Sequence, residues 1–174
     1  MVAAGSLSAL SRAIGRRSDD VAVLEAMLVV EENPVTRALD ADVCWEDADV
    51  CWEFVNSGVD FEFAGGALTS IGVRLVYDRT SSFNGVVVPS WLVAGWHRRP
   101  GPEEMRAQFG DSMAAGETEP ETVRLPEWEA LGDPSPRTRP GTRWEVFELD
   151  TGMLHVDYDA SGAARILTLM AEPG

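Results

Sequence analysis

From Val59 onward the chain alternates. Val59, Phe61 and Phe63 share one parity, and Asp60 and Glu62 share the other, the pattern of a half-buried strand. Gly65-Gly66 follows, a pair that supplies the positive φ angles of a two-residue hairpin loop. The return strand carries Ile71, Val73, Leu75 and Tyr77 at period two. A two-residue loop sets Phe63 against Leu68 and Phe61 against Ser70, which leaves Ile71, Val73 and Leu75 on the wrong parity. A bulge near Thr69-Ser70, or a longer loop, restores them to the apolar face. Leu154–Met170 repeats the plan. Leu154, Val156 and Tyr158 face in, His155 and Asp157 face out, and residues 159–162 join strands over 153–158 and 163–170.

Helical spacing surrounds these hairpins. Leu7, Leu10 and Ile14 fall on one face of a short helix over Ser6–Ile14. Ser18 or Asp19 caps a second helix through about Leu28, with Val21, Leu24 and Leu28 as its apolar stripe. Asn33-Pro34 then breaks the chain. Pro102-Glu103-Glu104 opens a third helix, Met105 and Phe109 share its face, and Gly110 closes it. Residues 40–53 are an exact tandem duplication of Asp-Ala-Asp-Val-Cys-Trp-Glu. An odd period sends the two copies to opposite faces of a strand, so Val50–Phe54 is expected as a strand or its approach and the first copy as a loop or a short strand. Residues 85–88 read as a short strand stopped by Pro89. Residues 111–141, rich in Pro, Gly, Glu and Thr, read as a long mobile or functional loop, pinned by a helical turn over 126–131. Arg143–Leu149 is apolar on both sides, with Trp144 and Val146 on one and Phe147 and Leu149 on the other, as in a strand between layers. The expected fold is α+β in a single domain, 1–174. Two helix-plus-hairpin halves, roughly 6–95 and 96–170, contribute antiparallel strands that join or stack, with helices packed on one face.

Charge narrows the function. The 174 residues carry a net charge of −15, with 14 arginines and no lysine. Residues 1–57 hold 11 acidic and 4 basic groups and residues 116–174 hold 12 and 5, whereas residues 58–115 hold 6 and 5. Acidic ends argue against nucleic-acid binding and suit a basic partner. No apolar run approaches the roughly 20 residues of a membrane span, and the first residues lack the apolar core of a signal peptide, so a cytoplasmic location and no membrane partner are expected. The oligomeric state is not legible.

Chemistry is sparse. Cys44 and Cys51 have no zinc or redox spacing and read as buried thiols. There is no Gly-x-Ser-x-Gly elbow and no Walker loop, so neither catalysis nor a cofactor is expected. The competing enzymatic reading is a metal corner of His155, Asp157 and Asp159, set against a solvated strand face with a turn aspartate. A scaffold without a partner is the other alternative. Six tryptophans stand out. Trp91, Trp96 and Trp128 lie in irregular segments, where contact residues are displayed. They are the candidate partner-binding residues, with Glu127 and Glu129 as an acidic rim.

An ordered set of motifs runs through residues 50–170: Gly58-Val59 through Leu68-Thr69-Ser70-Ile71, Val88-Pro89-Ser90-Trp91-Leu92, Glu104-Met105 through Phe109-Gly110, Trp144-Glu145-Val146-Phe147, and Leu154-His155-Val156-Asp157-Tyr158-Asp159 with Gly162 and Ile166. This order resembles small immunity-type proteins of bacterial polymorphic-toxin and bacteriocin systems. The helix-then-hairpin plan is also similar to the tandem α+β repeats of β-lactamase-inhibitory proteins. Asp111-Ser112 follows Gly110 where the pattern has Gly-x-Pro, and the Cys-Trp duplication has no counterpart in it. The resemblance implies a protein that binds and neutralises a protein partner and has no enzymatic activity; together with the acidic ends, it makes an inhibitor of a basic toxin domain the expected function.

Overall fold

The computed structural model describes residues 6–38, 50–76, 92–93, 96, 98–119, 121–123, 137–139 and 141–171. The first copy of the duplication, the strand expected over 85–88 and the helical turn expected over 126–131 lie outside them. The described chain is α+β. Its helices are α1 (Ser6–Ala13), α2 (Val21–Val30) and α3 (Pro102–Phe109). Its strands are β1 (Val35–Ala38), β2 (Val50–Phe54), β3 (Val59–Ala64), β4 (Ala67–Arg74), β5 (Ala114–Glu117), β6 (Glu121–Val123), β7 (Arg137–Arg139), β8 (Arg143–Leu149), β9 (Gly152–Tyr158) and β10 (Ala164–Met170). Eight of them form one open antiparallel sheet in the order β1-β2-β3-β4-β10-β9-β8-β5, and β6 pairs with β7 separately. The N-terminal strands thus meet the C-terminal ones where β4 pairs with β10, Ile71 against Leu169 and Val73 against Leu167.

The first hairpin resolves its parity conflict with a bulge. Gly65 and Gly66 have φ of 57° and 78°, as a tight two-residue loop requires. Phe63 opposes Leu68 and Glu62 opposes Ser70, so Thr69 is the extra residue. Its hydroxyl donates to the Glu62 carbonyl at 3.0 Å. Beyond the bulge Phe61 meets Ile71 and Val59 meets Val73, and every large apolar side chain of β3 and β4 lies on one face. The second hairpin also carries a register shift, between Ala164 and Ile166.

That face is the core. Val59, Phe61, Phe63, Leu68, Ile71, Val73, Phe147, Leu154, Val156, Tyr158, Leu167 and Leu169 form one buried cluster, joined by Leu7 and Leu10 of α1, Val23 and Ala26 of α2 and Met105 of α3. The loop after α1 is tied to the hairpin: the Gly15 amide donates to the Leu68 carbonyl at 2.7 Å, and the Leu68 amide to the Arg16 carbonyl at 2.8 Å. The opposite face carries Glu53, Asp60, Gly72, Thr168 and His155 in one cross-strand row. A Cβ at Gly72 would sit 2.6 Å from Asp60 Oδ2, so glycine there leaves room for the carboxylate. Asp60 is 7% exposed. Burial pushes its carboxyl above the usual range, Arg74 draws it down, and Glu62 and Glu53 push it up. The Arg74 contact is a 3.0 Å ion pair without an aligned hydrogen bond on Oδ1.

Several expectations are corrected. The helix cap is Asp20, whose carboxylate accepts from the Ala22 amide at 2.9 Å, not Ser18 or Asp19. The helix runs on through Val29 and Val30. Residues 111–141 are not one structureless loop, because β5, β6 and β7 fall within them. Strands β1 and β5 carry no alternation for the eye to find; pairing with β2 and β8 makes them strands.

Candidate protein-docking site

Helix α2 is apolar nearly all the way round: Val-Ala-Val-Leu-Glu-Ala-Met-Leu-Val-Val. Two stripes compete for the core, and the one expected from spacing loses. Val23, Ala26 and Val30 are buried, whereas Val21, Leu24 and Leu28 are 68%, 46% and 75% exposed. Small side chains let helices approach closely, so the stripe with Ala26 packs inward beside α1. Val21, Leu24 and Leu28 are left at i, i+3 and i+7 on the outside.

An all-round apolar helix is ordinarily buried, and burying a leucine stabilises by roughly 1.5–3 kcal/mol. Exposed apolar stripes with polar rims mark interaction surfaces. Here the rim is acidic, with Asp19, Glu25, Glu31 and Glu32 along and beyond the helix. Arg12 reaches Glu25 at 3.8 Å and Arg17 reaches Asp19 at 3.5 Å. Both are open surface pairs of little energetic weight.

The C-terminal end of α2 forms a depression of about 560 Å³ lined by Leu24, Met27, Leu28, Glu31, Glu32 and Asn33. Its shape is held by Glu32. One carboxylate oxygen accepts from the Asn56 amide at 2.9 Å and side chain at 2.8 Å; the other accepts from the Ser57 amide at 2.9 Å and hydroxyl at 2.7 Å. Burial pushes the Glu32 carboxyl up, but these hydrogen bonds outweigh it and hold it below its usual range. Glu32 therefore fixes the end of α2 to the turn between β2 and β3.

A second polar centre lies inside the molecule. Glu145 shares the parity of Phe147, so it points into the core and is fully buried. It accepts from Arg106 of α3, from Arg143 at 2.8 Å and from the Tyr158 hydroxyl at 2.8 Å. Burial and the Glu145 carboxylate hold the Tyr158 hydroxyl above its usual range. Two guanidinium groups and a phenol occupy the carboxylate, which makes it a lock between α3 and the sheet. The signal was its parity in β8, which sequence spacing alone had made apolar.

Of the sequence-derived contact residues, Trp96 is half-buried and meets Phe109 edge-on at 6.4 Å, and Phe109 meets Phe147 at 5.9 Å. Its ring is turned to the core edge. Trp91, Glu127, Trp128 and Glu129 lie outside the described residues. His155 stacks on Trp144 at 5.6 Å, with Nδ1 3.6 Å from Asp157. Asp159 is turned away to Arg99 and Ser161. Burial pushes its carboxyl up, but hydrogen bonds from Ser161 and Arg99 bring it down to about 2. Among the described residues no group of three potential ligands is placed to hold a metal, and no helix is long and apolar enough to cross a membrane.

Comparison of the chain with family models, with curated proteins and with solved structures finds no match.

Proposed function

We propose that this is a cytoplasmic, non-catalytic binding protein of immunity type, which neutralises a basic toxin domain by docking it on the outer stripe of α2. The observation that carries the reading is the exposure of Val21, Leu24 and Leu28 on a helix whose other apolar stripe already fills the core. A net charge of −15 and an acidic rim favour a basic partner, because complementary fields speed encounter and reject like-charged competitors. The leucines supply the apolar anchor that charge alone lacks. The occupied Glu145 supports a structural role for the most buried carboxylate among the described residues. The motif order over residues 50–170 supports the immunity class.

The test compares wild-type protein with the Leu24→Asp/Leu28→Asp variant as bait in extract of the native organism, with bound proteins identified by mass spectrometry. One basic polypeptide is expected on the wild type at low salt, weakened at high salt and lost with the variant. Equal retention on both baits, or an acidic partner indifferent to salt, contradicts the reading.

A further inference from the structure

We propose that the depression at the end of α2 is a seat for an arginine side chain of the partner, with Glu31 as the residue that selects it. This rests on the binding role of α2 and adds what the partner presents there. Glu31 has φ 56° and ψ 28° and is the only non-glycine residue with positive φ among the described residues. That conformation opposes a Cβ, and helix ends that use it usually place glycine or asparagine there. Glu31 also lies at the negative end of the helix, where a cation is favoured and a carboxylate is repelled. No basic residue occupies the last turn of α2 to offset it. Backbone geometry and helix electrostatics both disfavour this residue.

What Glu31 does have is a place. It stands beside the apolar wall of Leu24, Met27 and Leu28. No ion pair engages it among the described residues. Its neighbour Glu32 is already saturated by Asn56 and Ser57, which leaves Glu31 as the free carboxylate of the seat. An arginine fits such a site by laying its methylene stem on leucine while its weakly hydrated, planar head meets a carboxylate through two N–H groups. An ammonium is more strongly hydrated and lacks that fork.

The purified full chain, with its leucine methyls and backbone amides followed by NMR, is titrated with hexylguanidinium, hexylammonium and hexanol. Hexylguanidinium is expected to bind most tightly and to shift the Leu24 and Leu28 methyls and the Glu31 amide together. Glu31→Gln is expected to weaken it about three- to tenfold. Glu31→Gly is expected to weaken it similarly while raising the Tm by about 2–4 °C, because the backbone strain is relieved. Hexanol binding as tightly as hexylguanidinium, unchanged affinity in Glu31→Gln, or a lowered Tm in Glu31→Gly overturns the seat. The probe is independent of the partner. A basic protein retained through Leu24 and Leu28 with no guanidinium preference at Glu31 overturns the seat alone. A guanidinium seat with no retained protein upholds it while the docking role fails.

Discussion

Helices α2 and α3 solve opposite problems. Helix α3, Pro-Glu-Glu-Met-Arg-Ala-Gln-Phe, is mostly polar, yet it turns its best contacts inward: Met105 is fully buried, Phe109 meets Phe147, and Arg106 reaches the buried Glu145. Helix α2 is almost wholly apolar and leaves two leucines and a valine outside. A helix poor in apolar residues is thus fully used by the fold, and one rich in them is only half used. The difference separates apolar surface that the fold consumes from apolar surface that it leaves over. Of the tryptophans expected at a contact surface, Trp96 packs against α3 instead.

The largest expected contrast comes from truncating each helix. Met105→Ala is expected to cost about 2–5 kcal/mol, and Leu28→Ala about 0.5 kcal/mol or less. Chemical denaturation of the two variants reads this directly, and equal losses would erase the distinction between the helices. Next, Arg106→Met is expected to cost about 2 kcal/mol. Loss of a buried ion-pair partner ordinarily costs about 3–5 kcal/mol, and here Arg143 and Tyr158 remain to hold Glu145. Adding Glu145→Met to that variant is expected to deepen the loss by about 1–3 kcal/mol, because the buried Tyr158 hydroxyl and Arg143 then lose their acceptor.

Smaller effects concern the ends of the helices. Glu32→Gln removes a charge-assisted clamp on the exit of α2 and is expected to cost about 1 kcal/mol at neutral pH. The folded-state carboxyl lies below its ordinary value of 4.5. The stabilisation is therefore complete above that value and is lost as pH falls through the folded one. Thermal melts of both proteins across pH 3–7 should converge at the acidic end; a constant gap would contradict the assignment. Asp159→Asn, which loosens Arg99 just before α3, is expected to cost about 0.5–1 kcal/mol. That difference should fade between the ordinary 3.8 and about 2.

Much of the sheet was legible because strand parity is countable. Gly65-Gly66 pinned the turn, and the misplaced Ile71, Val73 and Leu75 then required an extra residue, which the fold places at Thr69. The last hairpin, α3 and the strand over the second Cys-Trp copy followed from the same kind of pattern. Helix α2 was legible as a helix but not in its orientation. With apolar residues on both stripes, spacing alone favoured Val21, Leu24 and Leu28, and the smaller Ala26 side went inward beside α1. Strands β1 and β5 could not be read, since Val-Thr-Arg-Ala and Ala-Ala-Gly-Glu become strands only through their neighbours. The candidate site was missed for the same reason as the orientation: a stripe taken as core cannot also be seen as surface.

On the proposed reading, a partner covers the outer stripe of α2. Hydroxyl-radical footprinting of the purified chain, alone and in native extract at low salt, tests it with Met113 as an exposed reference, 58% accessible. Leu24 and Leu28 are expected to be reactive in the pure protein at all concentrations, to become protected in extract, and to regain reactivity at high salt while Met113 stays unchanged. Protection that rises with the concentration of the pure protein would assign the stripe to a second copy of this chain. Reactivity of Leu24 and Leu28 that stays unchanged, like that of Met113, in pure protein and in extract at either salt would contradict coverage by a partner.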